Sequence, residues 1–240
     1  MPRGFPDYAN PSYIAATKMY DLEGVFASKF GVSTQDARGR IVWLDNFSQG
    51  LSAWRLSKAG TGVVAGASSV RAEIPPASFS YTGGPVAGGG SATIDRQTTW
   101  LEPGRIGHEF SVYYSECDIV LSCLFQLVKD SIQQSYYFIL YMFDGVLELY
   151  GDPSARFVTT LVPPYDGGTW LPCKVVADYT TGYLVRFMLG SLHFDLTSYP
   201  LSTGAYAPGD YIYTRLALGG VSPSPGTSHI GHVILTTDEP

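Results

Sequence analysis

The stretch that decides the fold is CDIVLSCLFQLV at residues 117–128, followed by YYFILYMFDGVLELY at residues 136–150. Apolar side chains occupy both alternating sets of positions in 117–128, which indicates a central β-strand covered on both faces. In the second segment, Asp144-Gly145 separates two apolar runs, and this dipeptide is a strong signal for a two-residue hairpin turn. The sequence therefore predicts consecutive strands, the last two joined as a hairpin.

Short strands continue in both directions from this segment. Further strands are predicted at 41–45, 52–57, 62–74, 91–96, 107–115, 156–162, 170–179, 183–189, 192–196, 211–218 and 229–236. A long loop or hairpin tip rich in Pro and Gly is predicted at 75–90. Because no amphipathic helix separates these strands, the pattern argues against parallel βαβ folds. It favours an all-β fold, an antiparallel two-sheet jelly-roll sandwich.

The composition agrees with this fold class and excludes one class of partner. Charged residues are 15% of the 240-residue chain, which also contains 17 Tyr and 27 Gly. Aromatic side chains pack well on pleated surfaces, and Gly allows the turns between strands. The formal net charge of −6 argues against direct nucleic-acid binding, because a phosphate backbone needs clustered Lys and Arg.

The cysteines and the first residues bear on where the protein is made. Cys117, Cys123 and Cys173 are odd in number and lack zinc-site spacing, so they are predicted to be small buried hydrophobes. The N-terminal MPRGFPDY has no apolar run after its basic residue, and no apolar segment approaches 18 residues. We therefore expect no signal peptide, no membrane span and synthesis in a reducing cytoplasm.

The first 40 residues differ from the sandwich predicted at 41–240. Asp21 caps a predicted short helix at about 21–30, a helix too short to be stable alone in water. Apolar side chains recur through this region, and they predict an assembly arm that wraps a neighbouring chain: Phe5, Tyr8, Tyr13, Ile14, Tyr20, Phe26 and Phe30. The alternative is an arm that packs on its own sandwich.

Three segments together resemble concanavalin A-like, laminin-G-like jelly rolls: DNFSQGLSAW at 45–54, WLPCKVVAD at 170–178 and HIGHVIL at 229–235. The resemblance implies that Phe47 and Trp54 are anchored in the core. It also implies that His232 stands where such domains usually have an acidic residue. Calcium is common at the rim of these domains, and by resemblance alone its candidate ligands are Asp45, Asn46 and Asp238; otherwise no cofactor is expected.

A narrower resemblance concerns the N-terminal region. PRGFPDY at 2–8 and RGRIVWLD at 38–45 look like segments of proteins encoded among the structural genes of tailed phages. The resemblance implies a virion component, such as a capsid decoration protein, made in the host cytoplasm. Its implied partners are capsid or other virion proteins, and its implied state is a homo-oligomer, by analogy a trimer.

The sequence contains no complete catalytic or metal-binding pattern. Glycoside hydrolases of this fold carry Glu-x-Asp-x-(x)-Glu on one strand; Glu116-Cys117-Asp118 begins such a pattern, but no third acid follows. His229 and His232 are three residues apart, which in a regular strand points them to opposite faces, so they are poor metal ligands. The sequence predicts no enzymatic activity and no metal site.

A binding face is the remaining possibility for a small ligand. Tyrosines on a sheet can stack on sugar rings and hydrogen-bond to hydroxyl groups, and a possible ligand face comprises Tyr113, Tyr137 and Tyr141. Core packing or subunit contact is the alternative for these residues. The leading hypothesis is a non-enzymatic virion structural protein; the alternatives are a lectin-like glycan-binding module for host adhesion and a glycoside hydrolase or lyase.

Overall fold

The computed structural model describes residues 39–73, 76–83, 90–99, 104–114, 119–142, 145–160, 168, 170–206, 209–220 and 226–240. The predicted arm and helix, with all seven apolar arm residues, lie outside this set, as do Glu116, Cys117 and Asp118. Among the residues described, no helix has the length and hydropathy needed to cross a membrane.

Sixteen strands make up the regular structure of the described residues. In chain order they are β1 Arg40–Asp45, β2 Arg55–Ala59, β3 Val64–Ser68, β4 Ser78–Thr82, β5 Ser91–Thr99, β6 Arg105–Tyr114, β7 Ile119–Lys129, β8 Ile132–Tyr141, β9 Val146–Tyr150, β10 Phe157–Thr160, β11 Leu171–Asp178, β12 Tyr183–Leu189, β13 Leu192–Asp195, β14 Ser202–Ala205, β15 Tyr211–Gly220 and β16 Thr227–Thr237.

The strands form two eight-stranded sheets. Within each sheet, neighbouring strands pair in the antiparallel direction. Sheet I has the order β13-β12-β11-β6-β16-β4-β3, with β1 also pairing with β16. Sheet II has the order β10-β9-β8-β7-β15-β5-β2, with β14 also pairing with β8. This all-β, two-sheet arrangement is the predicted jelly-roll sandwich.

The hydrophobic core lies between the two sheets. Alternate residues of β6 point into it, and Phe110 packs against Phe125 of β7 and Phe138 of β8 with ring centroids 6.2 and 5.6 Å apart. Phe187 of β12 packs against Phe138 at 5.3 Å. Aromatic pairs at these distances add to the stabilisation from buried apolar area. Residues of β6 at the intervening positions therefore lie on the opposite, outer face of sheet I.

The turn after β1 confirms the anchors implied by the sequence. Phe47 is fully buried and Trp54 nearly so. The carboxylate of Asp45 accepts a hydrogen bond from the backbone N–H of Phe47 at 2.7 Å and another from the indole N–H of Trp54 at 2.8 Å. Phe47 has a φ of 58°, which is a rare backbone conformation for a bulky residue. The core contacts of its ring and the two hydrogen bonds hold that conformation.

Two predictions about individual segments were wrong. Residues 75–90 were expected to form a long loop or hairpin tip, but they contain β4, which lies between β3 and β16 in sheet I. The segment 202–205 was not predicted as a strand, yet β14 pairs with the first half of β8. In both cases pairing with a long neighbouring strand outweighs local sequence that is rich in Gly, Pro, Ser and Thr.

Candidate functional site

The outer face of sheet II carries a continuous row of side chains across six strands. Cross-strand register places them opposite one another from β9 to β2. Strands in a sheet are about 4.8 Å apart, so the row spans roughly 24 Å. From one end to the other the row consists of Tyr150, Tyr137, Leu124, Arg215, Asp95 and Arg55. The rings of Tyr150 and Tyr137 stack with centroids 5.6 Å apart.

An open cleft of about 440 Å³ lies at the β5 and β15 end of this face. Its walls combine aromatic, amide and charged side chains, and its lining residues are Ala53, Arg55, Asp95, Arg96, Gln97, Gln126, Tyr206, Tyr211 and Tyr213. The register explains why three of them meet, since Tyr213 of β15 lies opposite Gln126 on one side and Gln97 on the other. The cleft is therefore built on sheet strands as well as loops.

The charged groups of the cleft are largely paired with one another. Asp95 is nearly buried, and its carboxylate binds the guanidinium of Arg55 at 3.1–3.2 Å. Arg96 lies 3.5 Å from the carboxylate of Asp45 and stacks over the ring of Trp43 at 4.3 Å. These contacts fix the guanidinium groups in position at the cleft wall.

The described part of the cleft lacks the acid pair that glycoside hydrolysis needs. Two carboxyl groups must flank the scissile bond, roughly 5 to 9.5 Å apart. Asp95 is the one carboxylate among the described lining residues, and it is already bound by Arg55. On the adjoining outer face, Glu148 binds Arg156 at 3.0 Å. Tyrosine rings and amide groups remain, and these suit ring stacking and hydrogen bonding to hydroxyl groups.

The three tyrosines predicted as a ligand face do not lie together. Tyr137 and Tyr141 are on β8 in sheet II, and Tyr137 is 39% exposed. Tyr113 is on β6 in sheet I and is buried against Trp170 and His229. The structure therefore separates Tyr113 from the other two by the thickness of the sandwich.

Sequence reasoning missed most of the cleft. Gln97, Gln126, Asp95 and Arg55 were not singled out, although each occupies a polar position that alternates with core-facing residues such as Ile94 and Phe125. That alternation indicates that these four residues lie on the outer face of the sheet. It does not show which of them lie next to one another, because this depends on the pairing of β5, β15 and β7.

Polar side chains on the outer face of sheet I contact one another, and a β-bulge in β16 determines which of its side chains lie on this face. Between Ile230 and Val233 the register against β6 shifts by one residue. The extra residue returns His232 to the face occupied by His229, so the prediction that these histidines point to opposite faces was wrong. His229 Nδ1 lies 3.0 Å from the Ser78 hydroxyl, and His232 Nδ1 lies 2.7 Å from a Glu73 oxygen.

A buried ionic cluster occupies the centre of this face. The Lys174 ammonium lies 2.8 Å from Glu239 Oε1 and 3.9 Å from Glu109 Oε2. All three of these side chains are essentially inaccessible to solvent. Arg186 binds the other Glu239 oxygen at 2.6 Å and the carbonyl of Pro240 at 2.6 Å. These contacts pin the C-terminal residues onto the sheet.

His232 joins the same cluster between two carboxylates. Burial by itself lowers the pKa of His232, but the flanking carboxylates of Glu109 and Glu73 outweigh burial and raise the pKa to about 9. The contact of His232 Nε2 with Glu109 is 3.7 Å long, an ion pair rather than a hydrogen bond. His108 faces the core, where burial lowers its pKa to about 3, and its Nδ1 lies 2.8 Å from the Tyr136 hydroxyl. His232 is thus charged at neutral pH, and His108 is not.

The candidate calcium ligands do not form a cation site among the described residues. The Asp45 oxygens bind protein donors, and Asp238 pairs with Arg40 at 3.4 Å. The amide oxygen of Asn46 accepts a hydrogen bond from the Ser48 N–H at 3.2 Å. In the part of the chain that is described, no group of three His, Cys, Asp or Glu side chains has the arrangement needed to hold a metal ion.

Comparison with known proteins gives matches of structure alone. No protein-family model and no curated protein sequence matches the chain. Among solved structures, an endo-1,3-beta-glucanase from Streptomyces sioyaensis matches with a TM-score of 0.53 and 11% identity, covering 87% of this chain and 100% of the glucanase. A Bacillus subtilis protein of unknown function with a galectin-like fold matches with a TM-score of 0.52 and 11% identity, covering 83% and 97%.

A carbohydrate recognition domain, that of Emp46p, also matches, with a TM-score of 0.50 and 10% identity over 82% of this chain and 93% of that domain. At such low identities these likenesses show the fold and nothing finer. The chain has the jelly-roll fold that glycosyl hydrolases share with carbohydrate-binding proteins. The predicted concanavalin A-like fold is thereby confirmed.

Proposed function

We propose that this protein binds a saccharide, without cleaving it, in the cleft on the outer face of sheet II. The observation that carries the proposal is the composition of that cleft. Three tyrosines and two glutamines surround a space of about 440 Å³, and its one described acid is bound by an arginine. Such a wall stacks on sugar rings and hydrogen-bonds to hydroxyl groups, but it supplies no pair of free carboxyl groups.

The fold supports the proposal by analogy. The solved structures of similar fold include a protein described as a carbohydrate recognition domain and another described as a glucanase. The site, rather than the fold, decides between binding and hydrolysis here. The charge arrangement at Asp95 therefore favours the lectin-like function.

The test is saccharide binding by the full chain and by a cleft variant. Tyr211 lines the cleft, whereas Tyr183 lies on β12 of sheet I and is 45% exposed. We expect a glycan array to identify a ligand whose affinity falls about tenfold in Tyr211→Ala, since losing an aromatic contact of about 1.4 kcal/mol has that effect. Tyr183→Ala is the matched control and should bind normally. Equal affinity of the two variants for every ligand would contradict the proposal.

Hydrolysis is tested separately. The full chain is incubated with β-1,3-glucan and a panel of other polysaccharides, and reducing ends are measured. We expect no release above that of a heat-denatured sample, because the described cleft lacks an acid pair. Release that is abolished by Asp95→Asn would establish a hydrolase instead.

The setting that we propose for this binding is a phage particle. The apolar residues of segment 1–40 support attachment to a capsid or other virion protein, with the sandwich displayed outside as a decoration protein. Burying such an arm on a partner offsets the entropy lost on ordering it. Deletion of residues 1–40 should abolish co-sedimentation with capsids and reduce the oligomeric mass measured by light scattering. Unchanged sedimentation and mass would remove the reason for proposing this role.

A further inference from the structure

Arg215 stands out among the charged residues of sheet II because it is partly buried, its Nε lacks a hydrogen-bond partner, and it forms no ion pair with any described residue. It lies on β15 in the row of the outer face, with Leu124 opposite on one side and Asp95 on the other. It is partly buried, and its Nε is buried without a hydrogen-bond partner. Its guanidinium lies 5.3 Å from the ring centre of Tyr213, and within the described residues it forms no ion pair.

The acid nearest to Arg215 along the row is already occupied. Asp95 binds Arg55 through a contact of 3.1 Å and two hydrogen bonds of 3.2 Å. Farther along the cleft wall, Arg96 is held by Asp45. In the described part of this region, three arginines therefore face two aspartates. The local surplus is one positive charge, on a chain whose net charge is −6.

The surplus charge lies beside the cleft, next to two of its lining residues. Tyr213 and Asp95, the neighbours of Arg215 along and across the strand, both line the cleft. A partly buried cation without a counterion is costly, and an anion that reaches it relieves that cost. Guanidinium binds carboxylate and sulfate groups through two parallel hydrogen bonds, which a neutral hydroxyl cannot match.

We infer that the saccharide bound in this cleft is anionic, and that Arg215 holds its carboxylate or sulfate group while the tyrosines contact the sugar rings. This inference rests on the proposed saccharide binding and specifies its ligand class. Arg215 is the residue that determines specificity for charge. Tyr211 and Tyr213 contribute to binding regardless of the charge of the sugar.

The experiment compares probes that differ in charge alone. One pair is an oligogalacturonide and its methyl ester; the other is a sulfated galactan oligosaccharide and its desulfated form. Binding is measured by calorimetry to the full chain and to Arg215→Gln, Arg215→Lys and Tyr211→Ala. Arg40→Gln, which removes an equal charge from an exposed position on β1, is the matched control.

We expect at least one anionic probe to bind tenfold or more tightly than its neutral partner, with an affinity that falls as salt is raised. Arg215→Gln should reduce this preference to within about twofold, and Arg215→Lys should keep part of it because the charge remains but the planar fork is lost. The carboxylate and sulfate arms identify which anion is preferred. Arg40→Gln should behave like the unmodified chain.

Failure of the charge inference can be distinguished from failure of saccharide binding. If neutral probes bind in a way that depends on Tyr211 and no anionic probe binds better, the charge inference is overturned and saccharide binding stands. The inference is also overturned if the anionic preference survives in Arg215→Gln. If no probe or array saccharide binds in a Tyr211-dependent way, both proposals fail together.

Discussion

The outer faces of the two sheets are built from similar polar residues but use them in opposite ways. On sheet I, Lys174, Glu109 and Glu239 are buried and face one another. On sheet II, Arg215 has no counterion among the described residues, and an open cleft lies beside it. Charges that satisfy one another hold structure in place, whereas a charge left over next to an open space is available to a ligand. The difference separates the ionic cluster of sheet I from the face of sheet II on which we propose that a saccharide binds.

The C-terminal residues account for much of this difference. Glu239 inserts its carboxylate between Lys174 and Arg186, and Thr236 donates a hydrogen bond to the same carboxylate. No corresponding contact is made by the described residues at Arg215 on sheet II.

The largest effect is expected from Lys174→Met. Removing one partner of a buried ion pair leaves the others uncompensated, and such changes cost about 3–5 kcal/mol. The free energy of unfolding, measured by urea titration, should fall by that amount, and Tyr211-dependent saccharide binding by the folded fraction should persist. Lys58→Met, on the exposed edge strand β2, is the control and should change stability by less than about 0.5 kcal/mol. Similar losses in both variants would show that the sheet I cluster does not stabilise the fold.

The sequence predicted the outer face of sheet I less well than it predicted the core. The alternation of Phe110, Val112 and Tyr114 shows which side of β6 faces inward, and the structure confirms it. The contact of Lys174 with Glu239 joins residues far apart in the chain. Local periodicity carries no information about such a contact.

The histidines show a second limit of sequence reasoning. The two-residue repeat of a regular strand predicts that His229 and His232 lie on opposite faces. In the structure, one bulge residue, Gly231, puts them on the same face. A Cβ at Gly231 would lie 2.6 Å from the Ser111 hydroxyl and 2.8 Å from the Trp170 ring, so this position requires glycine. From sequence alone, a glycine within a strand indicates that a bulge is possible there, but it does not establish one.

The free energy of unfolding should be greatest near pH 6.5. The pKa of His232 is raised to about 9 in the folded state, so its stabilising contribution is complete below about pH 6.5 and is lost as pH rises toward 9. The loss is on the order of 1 kcal/mol per pH unit. The pKa of His108 is lowered to about 3, so its contribution is complete above about pH 6.5 and is lost as pH falls toward 3.

Urea titrations from pH 5 to about pH 7.5 measure this dependence. Over this range the cysteines of the unfolded chain remain largely protonated, because their ordinary pKa is about 8.5. Burial raises the pKa of Cys123 and Cys173 in the folded state, which adds a separate loss at higher pH. NMR titration of the imidazoles is the independent check. A His232 resonance that titrates near pH 6.5 would contradict the assignment of its charge to the sheet I cluster.

A smaller loss is expected from Gly107→Ala on sheet I. A Cβ at this position would lie 2.7 Å from Glu239 Oε1 and 3.0 Å from Lys174 Cε, so the ionic cluster must shift. Overpacking of this kind costs about 1–3 kcal/mol. Gly66→Ala on β3 is the control, because a Cβ there meets nothing within 4 Å. If both variants unfold at the same urea concentration, the cluster tolerates displacement and is not closely packed.

The smallest effect on stability is expected from Arg215→Met on sheet II. Methionine keeps most of the apolar stem that packs beside Leu124 and Tyr213, and it removes a charge that has no described counterion. The free energy of unfolding should therefore stay within about 0.5 kcal/mol of the unmodified chain or rise, in contrast to the loss in Lys174→Met. Loss of several kcal/mol would mean that Arg215 is part of a stabilising network. The two sheets would then use their outer charges in the same way, and a ligand would not be needed to explain Arg215.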